Sequence, residues 1–185
     1  LARLDNSPPG SRGISLFLVP KYIEDQDGEW VKSNNVTTVS LEHKMGLHGS
    51  PTAVMDYKSS KGWLIGEKND GLSAMFTMMN NARLGVGVEG LSQCELATQK
   101  AVFYAKNRKQ GKSNIKNPEG FIIDHADVRR NLLTLKSVTS AVRALCLDTA
   151  ISLDLSRSKD LNIKDYHSAR AAFLIPVAKA FSTEM

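Results

Sequence analysis

The spacing of apolar residues along the chain changes once, near residue 70. Before that point three short apolar runs, residues 13–20, 36–41 and 52–57, are β-branched or alternate with polar positions. Glycine, asparagine and aspartate fill the gaps between these runs. The pattern predicts a small antiparallel sheet.

From Gly71 onward the apolar residues recur every three or four positions, which predicts helices. The first helix carries two stripes, formed by Phe76, Met79, Arg83, Val86 and Gly90 and by Leu84, Val88, Leu91 and Glu95. Gly85, Gly87 and Gly90 each lower helix propensity by about 1 kcal/mol relative to alanine. Three glycines so close together indicate tight packing or a nearby ligand. The polar, turn-rich residues 110–120 predict a loop that ends this helix.

Two further helices follow in the pattern. The second begins near Asp124 or Ala126, and its core stripe is predicted to be Val128, Leu132, Leu135, Val138, Val142, Leu145, Thr149 and Leu153. The third runs from about Lys164 to the C-terminus, with a kink at Pro176 and a core stripe of Ala169, Phe173, Val177 and Ala180. The predicted fold is therefore α+β, with a small antiparallel β part (residues 1–68) followed by an up-down helical bundle (residues 69–185).

Composition narrows the class of protein. The chain is 42% hydrophobic and 23% charged, as in soluble globular proteins, and no apolar stretch approaches the roughly 18 residues that span a bilayer. The N-terminus has no secretory-signal pattern, so we expect a cytoplasmic protein without a membrane span. The net charge of +5 comes from basic residues mixed with 19 acidic ones, which predicts a solvated surface and not a nucleic-acid site.

The cysteines and histidines of the sequence do not form a recognisable metal-binding motif. Cys94 and Cys146 lie in apolar helical patterns, which predicts buried thiols. His43 and His48 lie five residues apart in a glycine-containing loop, and zinc would need two more ligands that the sequence does not provide. No metal site is expected.

Several motifs, in one order, resemble the acyl-CoA dehydrogenase family. They are Gly-Ile-Ser-Leu-Phe-Leu-Val-Pro at residues 13–20, Lys-Met-Gly-Leu-His-Gly-Ser-Pro-Thr at residues 44–52, Asn80 with Arg83 and Gly90 on the first helix, and Tyr-Ala-Lys-Asn-Arg at residues 104–108. The resemblance covers the end of the family's β middle domain and the start of its C-terminal helical domain. The amino-acid sequence of residues 42–50 and 75–87 is most similar to that of a large bacterial branch of the family, which includes 3-methylmercaptopropionyl-CoA dehydrogenases.

The resemblance implies an FAD enzyme that removes an α-proton from an acyl-CoA thioester and transfers a β-hydride to the flavin. It implies that Asn80 and Arg83 line the acyl-CoA pocket. A salt bridge from Arg83 to Glu89 or Glu95 remains open as a purely structural alternative.

Arg108 resembles the residue that crosses a subunit interface to the pyrophosphate of a neighbour's FAD, and Lys109, Gln110 and His125 are nearby candidates for the same surface. The alternatives are a cation at the helix C-terminus for Arg108 and a capping or surface histidine for His125. The family's Arg-x-x-Phe-Gly motif is replaced here by Arg108-Lys-Gln-Gly-Lys. The implied partners are the acyl-CoA substrate, an electron-transfer flavoprotein or similar acceptor, and further copies of the chain in a homo-oligomer.

No residue of this chain fits the catalytic base of the family. Most members carry it as a glutamate downstream of the helix in which this sequence ends, and a minority carry it immediately before the arginine of the first helix, where Ala82 stands here. We therefore expect a fragment that is inactive by itself. The alternative function is a non-catalytic helical interaction module, whose basic loop at residues 106–116 contacts an acidic surface or nucleic acid.

Overall fold

The computed structural model describes residues 1–112 and 120–185, which form two compact units, residues 1–77 and 78–185. Strands occupy the first unit and helices the second, so the predicted α+β fold with its small antiparallel part is confirmed. Residues 113–119 of the predicted loop lie outside the described residues. The domain boundary predicted between residues 68 and 69 stays a prediction.

Short antiparallel strands make up the first unit. They are β1 (Ala2–Arg3), β2 (Ile14–Leu18), β3 (Tyr22–Ile23), β4 (Lys32–Ser33), β5 (Val36–Leu41), β6 (Ala53–Tyr57) and β7 (Trp63–Ile65). The three predicted runs all form strands, but the strands pair as β1-β2-β7, β3-β4 and β5-β6. The single small sheet expected from the sequence is therefore replaced by three smaller ones.

Buried polar side chains join these small sheets. Asn34 is only 3% exposed, and its amide donates to the carbonyls of Pro20 and Lys61 at 2.8 Å, while its own carbonyl accepts from the Lys61 amide. The fully buried hydroxyl of Ser15 accepts from the Asn69 amide at 2.9 Å. Each bond joins parts of the chain that are not paired in one strand ladder. A two-stranded ribbon is only marginally stable alone, so it needs such additional bonds.

Three long helices follow: α1 (Gly71–Asn107), α2 (Ala126–Leu155) and α3 (Leu161–Glu184). Asp160 caps α3, because its carboxylate accepts from the amides of Asn162 and Ile163. None of the helices among the described residues is long and apolar enough to cross a membrane.

Side-chain pairs give the direction of each helix. Thr98 and Thr139 share a hydrogen bond at 3.0 Å and Glu95 pairs with Arg143 at 2.7 Å, so α2 runs antiparallel to α1. The five-residue connection after Leu155 returns the chain, and Arg170 pairs with Asp148. The bundle therefore runs up, down and up, as the sequence predicts.

The helices bury residues at spacings of three, four and seven, as in left-handed helix bundles. The buried positions in the helical unit are Gly87, Leu91, Thr98 and Ala105 on α1, Thr139, Val142, Cys146, Thr149 and Ser152 on α2, and Ala171, Ile175, Ala178 and Ser182 on α3. Most of these side chains are small, so the helix backbones approach closely.

Part of the predicted core is wrong. On α2, Val142 and Thr149 are fully buried as expected, but Leu135 is 37% exposed. On α3 the predicted stripe lies outside: Phe173 is 70% exposed and Val177 41% exposed. The third helix is apolar on two faces, and the face with the smaller side chains packs inward. Of the two cysteines predicted to be buried, Cys146 is buried and Cys94 half-buried.

Among the glycines of the helices, Gly90 marks the closest approach between two helices, α1 and α3. A Cβ atom added to Gly90 would lie 2.4 Å from the Ser182 carbonyl oxygen, and one added to Gly87 would lie 3.5 Å from the Ser182 hydroxyl. A Cβ on Gly85 would meet nothing within 4 Å. Tight packing therefore explains Gly90, whereas a Cβ on Gly87 would make only ordinary contacts and Gly85 faces open space.

We predict that Gly90→Ala lowers the free energy of unfolding by about 1–3 kcal/mol, because the new methyl forces α1 away from α3. Gly85→Ala is the matched control and should raise helix stability by up to about 1 kcal/mol. Thermal unfolding of both variants measures the difference. Equal behaviour of the two variants would contradict the close contact.

Candidate functional site

Asn80 and Arg83 lie near the start of α1 and are both half-buried. They are three residues apart on a helix, so their side chains lie on the same face. The structure thus presents an amide and a guanidinium side by side, which can both donate to an oxygen atom of a ligand. That Asn80 and Arg83 line the acyl-CoA pocket stays a prediction.

Glu95, a suggested partner of Arg83, is held by other groups. Its carboxylate accepts from Gln99 at 2.6 Å and from Arg143 at 2.7 Å. The Gln99 hydrogen bond, followed by the Arg143 bond and charge, holds the pKa of Glu95 below its ordinary value. A lowered pKa means that the contact stabilises the fold above the unfolded-state pKa and is lost as the pH falls through the folded-state value.

The chain folds back on itself after the far end of α1. The Arg108 amide still donates to the Tyr104 carbonyl at 2.9 Å, and the Arg108 carbonyl accepts from the Ile122 amide at 2.9 Å. The Gln110 amide donates to the Gly120 carbonyl at 2.8 Å. These bonds form a short antiparallel ladder, in which Lys109 and Phe121 stand opposite each other.

His125 fastens this ladder. Its Nε2 atom lies 2.8 Å from the Gln110 carbonyl oxygen, so Nε2 carries the proton and donates it. His125 precedes α2, but its side chain makes no capping hydrogen bond to the helix. The capping alternative is therefore wrong for its side chain, and the imidazole holds the loop instead.

Two glycines let the ladder form. Gly111 and Gly120 have φ angles of 71° and 73°, which side chains other than glycine rarely adopt. A Cβ on Gly120 would also lie 2.6 Å from the Gly111 carbonyl oxygen. Neither glycine is among the residues predicted to be functional, although a glycine at each side of a polar loop is a signal for a tight turn back.

Several basic side chains lie on or next to this folded-back segment, which we call the α1–α2 clasp (residues 108–112 and 120–125). The side chains of Lys106, Arg108 and Lys112 are exposed, and the Lys109 ammonium lies 4.8 Å from the centre of the Phe121 ring. Such a cluster can bind an anion, and a guanidinium can pair with two phosphate oxygens. The described residues hold no group of three or more potential metal ligands.

The structure brings Arg108, Gln110 and His125 together and separates them from Asn80 and Arg83. Arg83 and Arg108 are 25 residues apart along one continuous helix, which corresponds to about 37 Å at about 1.5 Å per residue. Thus the two candidate groups of one chain cannot surround one compact ligand.

A groove of about 460 Å³ lies between α1 and α2. Phe103, Lys106 and Lys136 line it, and the Thr98–Thr139 pair lies within its lining. None of the five predicted site residues lines this groove. Lys106 in its lining lies two residues before the clasp in sequence.

The fold is shared with solved acyl-CoA dehydrogenase structures. The Caenorhabditis elegans ACDH-11 structure in complex with C11-CoA superposes with a TM-score of 0.72 at 23% identity, over 94% of this chain and 27% of that one. The structure described as "Bd2924 apo-form" gives a TM-score of 0.76 at 21% identity, over 98% of this chain and 33% of that one. These likenesses establish the architecture.

Sequence comparison identifies the family. Residues 69–185 match the family model "Acyl-CoA dehydrogenase, C-terminal domain". The chain is 43% identical over 186 residues to the 3-methylmercaptopropionyl-CoA dehydrogenase of Ruegeria pomeroyi and 36% identical over 197 residues to a butyryl-CoA dehydrogenase of Syntrophomonas wolfei. Each alignment covers the whole of this chain and 32% of the relative, so the chain spans about a third of their length. The chain belongs to the acyl-CoA dehydrogenase family, as its motifs predicted.

We predict that His125→Ala loosens the α1–α2 clasp. Loss of one hydrogen bond worth about 1 kcal/mol should speed hydrogen exchange of the Gln110 and Ile122 amides by about fivefold. Lys112→Ala, a change at an exposed side chain of the same segment, should leave these rates unchanged. Unaltered exchange in His125→Ala would show that the imidazole does not fasten the ladder.

Proposed function

We propose that this chain is part of a flavin-dependent acyl-CoA dehydrogenase, which introduces an α,β double bond into an acyl-CoA thioester. The proposal rests on family membership together with one structural observation. The α1–α2 clasp gathers Arg108, to which the resemblance assigns contact with FAD, with Gln110 and His125, candidates for the same surface.

The clasp has the chemistry that a flavin pyrophosphate requires. Arg108 is exposed at the end of α1, so its planar guanidinium can pair with phosphate oxygens. Gln110 uses its backbone in the ladder, which leaves its exposed side-chain amide for a polar contact. His125 holds the Gln110 carbonyl and thereby positions the segment. The donor set fits the anionic part of FAD.

On the substrate side, Asn80 and Arg83 donate to the acyl-CoA from one face of α1. Donors placed near a thioester carbonyl stabilise the negative charge that develops on its oxygen as the α-proton leaves. Arg83 also organises the carboxylate that removes this proton, and no residue of this chain is assigned to that role. FAD, when bound, accepts the β-hydride.

A second copy of the chain completes the arrangement. Because about 37 Å of helix separates Arg83 from Arg108, Arg108 of one subunit serves the flavin of its neighbour. The outer face of α3 supplies apolar surface for assembly, since Tyr166 is 62% exposed and Phe173 70% exposed. Apolar patches above a few hundred Å² are rare on monomers, so we propose a homo-oligomer with an interface of over about 1,000 Å².

An electron acceptor is the remaining partner. One relative, the caffeyl-CoA reductase-Etf complex subunit CarC of Acetobacterium woodii, is 33% identical over 130 residues, covering 69% of this chain and 32% of that protein. Its name places it in a complex with Etf. We propose that electrons leave the flavin of the present protein for an electron-transfer flavoprotein or a similar acceptor.

The alternative of a non-catalytic interaction module keeps the same bundle but needs no flavin. Its basic loop extends to Lys116, which lies outside the described residues. The cations that the structure does describe, Lys106 to Lys112, are equally suited to a flavin pyrophosphate. Family membership therefore favours the enzyme.

The enzyme proposal predicts that the purified full-length protein is yellow, with a flavin absorption band, and reduces an artificial dye when given acyl-CoA thioesters of different chain length. Reduction should depend on the thioester, because only its α-proton is acidic enough to be removed by a carboxylate. A colourless protein that cannot be reconstituted with FAD would favour the interaction module.

The cofactor role of Arg108 has its own test in the full-length protein. Arg108→Ala should weaken FAD retention by about tenfold or more, since a charge-assisted bidentate contact contributes about 1.5–3 kcal/mol. Lys106→Ala, which removes a neighbouring exposed cation, is the control and should change retention much less. The dissociation constant of FAD and the melting temperature of the flavin-free protein are measured together. Equal losses in both quantities would identify Arg108 as a structural helix-end cation.

A further inference from the structure

Two buried polar atoms occur where α2 meets α3. Ser152 is fully buried, and neither its hydroxyl oxygen nor the buried Nδ1 atom of His167 has a hydrogen-bond partner among the described residues. A buried polar group without a partner costs about 1–3 kcal/mol, so native structures rarely leave one unsatisfied. Two such atoms in one helix pair therefore require a common explanation.

The helix register places the two residues at about the same level of the α2–α3 pair. Arg170 on α3 pairs with Asp148 on α2. Ser152 lies one turn after Asp148, toward the end of α2. His167 lies about one turn before Arg170, toward the start of α3. Because the two helices are antiparallel, both steps lead toward the connection between Leu155 and Leu161, and each covers about 4.5–6 Å.

The two residues also lie on facing stripes. Ser152 continues the buried stripe of α2 one turn after Thr149, and His167 precedes Ala171 by one turn on the buried stripe of α3. Serine and alanine are the small side chains at this level of the interface. A single water molecule needs only about 10–15 Å³ of probe-occupied volume and two to four polar partners.

We propose that one internal water molecule bridges the Ser152 hydroxyl and His167 Nδ1 and closes the end of the α2–α3 hairpin. A water molecule both donates and accepts, as does the hydroxyl, so either tautomer of the imidazole can be satisfied. The second lone pair of a helical carbonyl in the preceding turn of α2 can supply a third bond. The site would take water and no larger ligand.

A crystal structure of the full-length protein at about 1.8 Å or better tests the site directly. We expect one water peak at about 2.7–3.2 Å from both Ser152 Oγ and His167 Nδ1. A direct hydrogen bond between the two side chains, or a site with no peak between them, overturns the proposal.

A double-mutant cycle in the full-length protein gives a second, independent test. Ser152→Ala and His167→Phe each remove one ligand of the same water, so their effects on hydrogen-exchange rates of the hairpin amides should not multiply. We expect the double variant to exchange at least about fivefold more slowly than the product of the single effects.

The matched control is Ser182→Ala, since Ser182 is also buried but its hydroxyl already donates to the Lys179 carbonyl. Combined with His167→Phe, it should give independent effects that multiply. Independent effects in the Ser152–His167 pair as well would show that the two side chains share no ligand.

Discussion

The close approach of α1 and α3 is the constraint on which the helical unit depends. There is no room for a Cβ on Gly90 beside the Ser182 carbonyl, and a Cβ on Gly87 would be at ordinary contact distance from Ser182 and Cys146. With the backbones this close, the buried positions must be filled by small residues, which explains why threonine, serine and alanine dominate the interface. Dispersion contacts in so dense an interface are many and individually small.

Small polar side chains bring a second requirement, because their hydroxyls must be satisfied within the bundle. Thr149 donates to the Leu145 carbonyl one turn earlier on α2. Thr98 and Thr139 share a hydrogen bond between the helices, so one of the two hydroxyls donates to the other, and the accepting hydroxyl donates to the carbonyl one turn earlier on its own helix. These bonds allow polar residues to occupy positions that in other bundles hold leucine, at little net cost.

The sequence predicted the elements better than their packing. The predicted start of α3, near Lys164, lies three residues too late, because the prediction misses the cap at Asp160. The starts of α1 and α2 and the strand at residues 36–41 follow from local signals, namely periodicity, alternation and turn residues, so they could be predicted directly. The inward face of α3 could not, because Phe173 and Ile175 lie on two apolar stripes of similar length. The choice between them depends on the glycines of α1, which are about 90 residues away in sequence and select the stripe with the smaller side chains.

The candidate site shows the same division between local and distant information. Motif resemblance singles out Arg108, and its proximity to Gln110 and His125 depends on a ladder between two segments that the sequence separates by a polar loop. The bond from His125 to the Gln110 carbonyl shows that this side chain positions the loop. The 37-residue helix α1 then sets the distance between this loop and the pair Asn80 and Arg83. In the function proposed here, the cofactor and substrate contacts of one chain therefore belong to different sites, which makes assembly of several chains a condition for catalysis.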